Sequence, residues 1–199
     1  AIEGSNGMIA AIADAHSLEA AGDKILLPLA DGRIGTAEKP FVGLIALDGN
    51  LTATLLAQIA TSPLFGTSDL RIAPASPDKA ERLLPLLGHK GATLYVNVEE
   101  AGLLCQTEFE NSQTAAQSLV TRGANRALVT DGPETAALAD AQGCVTATPP
   151  AVLASRVTGA GDTFMAAHIA AELRGQHGVA ALQSASNAAA AYVSGKSEG

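Results

Sequence analysis

The most specific chemistry in this sequence is carried by Gly159-Ala160-Gly161-Asp162, in the C-terminal third of the chain. Two glycines bracket one alanine and a carboxylate follows at once. Phe164, Met165, His168, Ile169 and Leu173 then recur at helical spacing, with Arg174 in the last turn and Gly175 as a stop. A glycine-rich turn therefore opens an amphipathic helix. Unpaired backbone N–H groups and the positive end of the helix dipole suit such a turn to an anion. A carboxylate there opposes a phosphate electrostatically, but it has a use if it accepts the proton of a hydroxyl attacking that phosphate. For a bare Gly-x-Gly-Asp the alternative is a first-turn acid that only complements the dipole.

The elements that must position these residues alternate between strand and helix. Ile2-Glu3, a Gly4–Gly7 turn and Met8–Ile12 form a hairpin pattern. A helix-like stretch follows from Leu18 to Leu29, broken by Gly22 and Pro28, and then a polar connector from Asp31 to Pro40. The nearly continuous apolar run Phe41–Leu47 predicts a buried parallel strand. Thr52 can cap a helix through Thr61 with Leu55, Leu56 and Ile59 on one side. Further strands are expected at Leu70–Ala73, Thr93–Val96 and Arg126–Val129, with a hairpin over Thr135–Ala139 and Cys144–Ala147. Helices are expected through Leu87, over Glu99–Cys105 and Ser112–Arg122, and finally over Val179–Val193. Such alternation implies a mostly parallel sheet with helices on both faces, and ligands at the carboxyl ends of its strands.

Those strand ends carry Asp48-x-Asn50, Pro74-x-Ser76-x-x-Lys79, Asn97-x-x-Glu100 and Thr130-x-Gly132. Asn97 and Glu100 share one side of a first helical turn and can supply oxygen to a Mg²⁺, directly or through water. The same pair is also a helix capping box. Thr130-Asp131-Gly132 is equally an ordinary strand-to-turn transition. Lys79 is either a surface lysine or a mobile cation for phosphate. Asn187 is one polar residue on an alanine-rich helix. His168 is expected to be packed or partly exposed rather than to act as a ligand.

Val157-Thr-Gly-Ala-Gly-Asp-Thr-Phe164 resembles the C-terminal signature of the ribokinase-like sugar and nucleoside kinases, also called the phosphofructokinase B family. The resemblance implies an α/β fold: a ribokinase-like three-layer α/β/α sandwich with a mostly parallel sheet and the remnant of a β lid. The lid hairpin would occupy residues 1–14 and the nucleotide-binding core residues 15–199. It also implies ATP and Mg²⁺, with a monovalent cation such as K⁺ as a further candidate. Asp162 becomes the catalytic base, and the Gly159, Ala160 and Gly161 backbone stabilises the transferring phosphoryl group. Asn97 and Glu100 become the metal and phosphate motif. Thr130, Gly132 and Thr158 fall beside the nucleotide phosphates, and Asn187 falls near the adenine. Asp48-x-Asn50 and Pro74-x-Ser76-x-x-Lys79 resemble the pseudouridine kinase branch, which places Asp14, Asp48, Asn50, Ser76 and Lys79 on the acceptor side. Relatives carry a further N-terminal part, and this sequence is expected to begin inside the lid.

Composition bounds the partners. The chain has 199 residues, 47% of them hydrophobic and 3% aromatic, so its core must be built from Leu, Ile, Val and Ala. A net charge of −8 argues against nucleic-acid polymers and anionic membranes. No apolar run approaches the roughly 20 residues of a membrane span. Two isolated cysteines, Cys105 and Cys144, suit a reducing cytoplasm. The expected activity is transfer of the ATP γ-phosphoryl group to a sugar or nucleoside hydroxyl, with pseudouridine favoured and the lid edge as a candidate homodimer contact. The alternative is a nucleotide- or metabolite-binding relative without catalysis, which would have no need of Asp162. The lack of Gly-x-Gly-x-x-Gly after an early strand speaks against a dinucleotide fold.

Overall fold

The computed structural model describes residues 15–195 with their side chains and the backbone of residues 2–4 and 7–10. Strands β1 (Ile2–Gly4) and β2 (Gly7–Ala10) pair antiparallel, and Ser5 and Asn6 between them lie outside the described residues. Ala11, Ile12 and Asp14 lie outside the described residues. Helix α1 (His16–Ala21), a 3-10 segment (Gly22–Leu26) and α2 (Leu27–Ala30) follow. The interruption at Gly22 is as expected, since its φ of +54° leaves the right-handed helical region. The second division of the stretch falls beside Pro28, between Leu26 and Leu27. Pro28 sits in the first turn of α2, where an N–H would have no partner in any case.

A six-stranded sheet follows in the order β3-β4-β5-β6-β7-β8. Strands β3 (Leu44–Asp48), β4 (Asp69–Ala73), β5 (Ala92–Asn97) and β6 (Arg126–Thr130) are parallel. Strands β7 (Ala136–Asp140) and β8 (Gly143–Ala147) close it as an antiparallel hairpin. The run from Phe41 departs from its expectation twice. Pairing begins only at Leu44, and β3 is the edge of this sheet, with Ala46 exposed and its neighbours half-buried. An unbroken apolar run reports low polarity, and does not distinguish an inner strand from an outer one.

One face is covered by α3 (Ala53–Thr61), a 3-10 helix (Pro77–Leu86), α4 (Val98–Cys105) and α5 (Ser112–Thr121). The Thr52 hydroxyl accepts the Leu55 N–H at 3.2 Å, and Leu55, Leu56 and Ile59 are buried as their spacing requires. The segment expected as an α-helix through Leu87 is 3-10 instead. Pro85 lies within it, and in an α-helix its ring would clash with the carbonyl four residues back. Helices α6 (Ala160–Leu173) and α7 (Val179–Val193) cover the other face. Strand alternation divides β5 between the two cores: Leu94 and Val96 join Leu56, Leu104 and Leu119, while Tyr95 joins Leu128, Phe164 and Leu182. The result is the three-layer α/β/α arrangement. Among the described residues, no helix is long and apolar enough to cross a membrane.

The direction of α6 fixes where its first turn lies. Arg71, Thr93 and Arg126 are register neighbours toward the amino ends of β4, β5 and β6, and Glu172 near the carboxyl end of α6 bonds both arginines. Asp162 stands ten residues earlier, about 15 Å along the helix. The first turn of α6 therefore rises toward the carboxyl ends of the strands, where α/β sheets bind ligands.

Candidate active site

The glycine turn is set by its backbone. Gly159 caps α6 at φ +89°, a conformation glycine adopts freely, and there is no side-chain cap. Its carbonyl accepts both the N–H and the hydroxyl of Thr163, at 2.9 and 2.8 Å. The Ala160 N–H is already spent on the Val157 carbonyl at 3.0 Å. Of the N–H groups of Gly159, Ala160 and Gly161, that of Ala160 is therefore turned back on the chain. The donors left over in the first turn are those of Gly161 and Asp162, which have no intrahelical acceptor. The Asp162 side chain is exposed and forms no hydrogen bond or ion pair among the described residues. A carboxylate beside two free N–H groups can take a proton from one ligand atom while the amides hold an adjacent oxyanion.

Asn97 and Thr130 are brought together as register partners at the ends of β5 and β6. Thr130 leads into a turn in which the Glu134 N–H reaches the Asp131 carbonyl at 2.8 Å, and Gly132 takes φ +53°. The capping alternative for Asn97-x-x-Glu100 is realised. The Asn97 side chain accepts the Glu100 N–H and the Glu100 carboxylate accepts the Asn97 N–H, each at 2.8 Å. Glu100 is 8% exposed, and desolvation raises its carboxyl above the usual range. The cap uses one carboxylate oxygen and one amide lone pair, so further oxygen donors remain for a hydrated Mg²⁺. The buried carboxylate also lacks a cation among the described residues, so the donor set suits a metal held partly through water. No group of three or more His, Cys, Asp or Glu able to hold a metal is present among the described residues.

Three of the acceptor-side candidates form a chain. Both Asp48 oxygens accept from Asn50, at 3.0 Å from its N–H and 2.9 Å from its side-chain amide, and Lys79 Nζ donates to Asn50 Oδ1 at 2.7 Å. Gly49 makes this possible by packing: a Cβ there would lie 3.2 Å from the Ala75 nitrogen and from Lys79 Cβ. Ser76 precedes the 3-10 helix without capping it by its side chain, and its hydroxyl lowers the carboxyl of exposed Asp78. Asn187 is exposed on α7, where its Oδ1 accepts Gln183 Nε2 at 2.9 Å. The Thr158 carbonyl accepts the Tyr192 hydroxyl at 2.9 Å. Asp14 lies outside the described residues.

Two constellations escaped the sequence reading. One is the Tyr192 contact. The other is a buried polar network below α6, at the opposite end of the sheet. Glu172 accepts from Arg71 at 2.5 Å and from Arg126 at 2.7 and 3.0 Å; Arg71 also bonds Asp69 and the Tyr95 hydroxyl. Tyr95 Oη lies 2.9 Å from Nδ1 of His168, which is fully buried, the packed one of its two expected placements. The spacing of four between His168 and Glu172 was available as a signal, but their partners on the sheet were not.

A family profile described as "pfkB family carbohydrate kinase" matches residues 42–199. The chain belongs to the pfkB family. Among solved structures, a carbohydrate kinase from Agrobacterium tumefaciens superposes with a TM-score of 0.71 at 23% identity, over 93% of this chain and 58% of that one. A putative sugar kinase from Clostridium perfringens gives 0.74 at 18% identity, over 95% and 58%. The adenosine kinase of Trypanosoma brucei brucei gives 0.63 at 16% identity, over 79% and 52%. At these identities the likeness is one of fold, and this pfkB chain spans somewhat more than half the length of those proteins. Among curated proteins, no sequence matches it.

Proposed function

We propose that this chain forms the nucleotide-handling part of an ATP-dependent kinase that phosphorylates a hydroxyl of a sugar or nucleoside, with pseudouridine the favoured acceptor. The observation that carries the proposal is the exposed carboxylate of Asp162, without a partner among the described residues, beside the N–H groups of the α6 first turn that have no intrahelical acceptor. A protein that only bound phosphate would be better without that charge.

In this mechanism Asp162 accepts the proton of the attacking hydroxyl. The N–H groups of Gly161 and Asp162 meet the negative charge that grows on the transferring phosphoryl oxygens. Thr130, Gly132 and Thr158 border the phosphates, and Asn187 borders the base. Asn97 and Glu100 would hold Mg²⁺, which supplies positive charge to the phosphates. Asp48, Asn50 and Lys79 face the acceptor, and support for the pseudouridine branch comes from their assembly into one chain. The β1–β2 hairpin serves as part of a lid.

The test is acceptor-dependent ADP release with pseudouridine, ribose, fructose and adenosine, comparing the protein with Asp162→Asn. Loss of a general base predicts a fall of about 10²-fold or more in turnover, with ATP affinity little changed. Undiminished turnover in Asp162→Asn would sink the assignment.

A further inference from the structure

Residues 151–158, between β8 and α6, are exposed and have no regular secondary structure. The second half of this loop is nevertheless tied to the end of α7. Ser155 gives its N–H and its hydroxyl to the Val193 carbonyl, at 2.7 and 3.1 Å. The Arg156 N–H reaches the same carbonyl at 3.3 Å, and its Nε donates to the Tyr192 carbonyl at 2.9 Å. Last-turn carbonyls lack intrahelical donors, and the negative end of the dipole favours a guanidinium. Arg156 also stacks over the Tyr192 ring, 3.9 Å from its centroid. The Tyr192 hydroxyl donates to the Thr158 carbonyl at 2.9 Å, and a Cβ on Gly159 would lie 2.7 Å from the Tyr192 hydroxyl oxygen. Tyr192 is thus packed against the residue that starts the glycine turn.

The turn has no side-chain cap of its own, and its Ala160 N–H hangs on the Val157 carbonyl. Its orientation is therefore inherited from residues 155–158, which α7 holds. We infer that Tyr192 is a positioning residue for the Gly159–Asp162 turn, with Arg156 and Ser155 pinning the loop to α7. Tyr192 fixes the Thr158–Gly159 backbone so that the N–H groups of Gly161 and Asp162 keep one direction. The functional consequence rests on the kinase reading; the strap itself does not.

Tyr192→Phe keeps the ring and loses the hydroxyl, whereas Tyr192→Leu loses both. Arg156 makes the loop readable by limited trypsin digestion, because cleavage after it follows the population of the released loop. The expected acceleration is roughly fivefold for Tyr192→Phe, the effect of one hydrogen bond, and roughly tenfold or more for Tyr192→Leu. Amide resonances of Gly159–Asp162 should shift in Tyr192→Phe. In the kinase assay kcat should fall in the same order while the acceptor KM stays constant. A merely structural role would lower the melting temperature and leave kcat of the folded protein alone. Equal cleavage rates and unshifted amides would overturn the strap. Faster cleavage with unchanged kcat would overturn the positioning role. If the protein turns over no acceptor at all, the kinase reading fails, and the cleavage and amide comparison alone decides the strap. Should Tyr192→Leu not fold, Tyr192→Phe carries every arm.

Discussion

Replacing Glu172 by Gln removes one charge from the network beneath α6 and keeps the shape of the side chain. The side chains of Glu172 and Arg71 are 11% and 8% exposed, and that of Arg126 is 22% exposed. Burial alone would raise the Glu172 carboxyl, but the hydrogen bonds and charge of Arg126 and Arg71 hold it at about 2, against an ordinary 4.5. That difference corresponds to about 3 kcal/mol in favour of the folded state at neutral pH. It agrees with the ~3–5 kcal/mol lost when one partner of a buried pair is removed. Arg71 keeps Asp69, and the partial exposure of Arg126 lets water reach it, so the lower end applies. Glu172→Gln should therefore lose about 3 kcal/mol in urea unfolding at unchanged m-value. Its melting temperature should fall by roughly 6–12 °C for a domain of this size. The folded carboxyl lies below its unfolded value, so the wild-type advantage is complete above pH 4.5 and disappears as the pH falls toward 2. A loss under about 0.5 kcal/mol at pH 7 would refute this account and class the network with surface ion pairs.

Two further predictions concern buried groups. Burial holds His168 down at about 4, against an ordinary 6.5, and its Nε2 has no partner among the described residues. The unfolded chain therefore takes up a proton that the fold refuses, and stability falls by about 3 kcal/mol as the pH drops from 6.5 to 4. His168→Leu should remove this slope and stay within about 1 kcal/mol of wild type at pH 7: the Tyr95 oxygen keeps the bond it accepts from Arg71 but its O–H loses the Nδ1 partner, a cost offset by removing the buried Nε2 that has no partner among the described residues. Urea unfolding across that window checks both, and an unchanged slope would assign the titration elsewhere. Glu100→Gln should raise the Mg²⁺ concentration needed for half-maximal turnover. Glu99→Gln, exposed and one residue round the helix, should do so much less. Equal effects from the two would contradict a metal role for Asn97 and Glu100.

What the sequence made legible was local. Thr52 as a cap, Leu55, Leu56 and Ile59 as a buried stripe, the Asp140–Gly143 hairpin and the span of α7 each depend on residues within a few positions of one another. The ends of β5 and β6 could be named as polar, but their adjacency through Asn97 and Thr130 needed register. Three features were out of reach for the same reason. Glu172 meets Arg71 across 101 residues, Tyr192 meets Thr158 across 34, and the edge position of β3 depends on how the sheet is ordered. The engagement of Ala160 with Val157 is local, yet the glycine motif hides it, because a turn rich in N–H groups does not announce which of them bends back on the chain.

The two ends of the sheet treat their carboxylates in opposite ways, and the contrast separates stability from chemistry. At the amino ends, Glu172 is matched by two guanidiniums, and its charge is neutralised inside the protein. At the carboxyl ends, among the described residues, Asp162 is exposed without a partner and Glu100 is buried with backbone contacts but no cation. Desolvating a carboxylate without a counter-ion costs stability, as the raised Glu100 carboxyl records. Asn97 could cap α4 without a buried acid three residues on, so capping alone does not account for that cost. Under the proposed function, a divalent cation arriving with the nucleotide would offset it, returning the Glu100 carboxyl toward its charged form. Glu100 rather than Glu172 is therefore where an external positive charge has the most to gain.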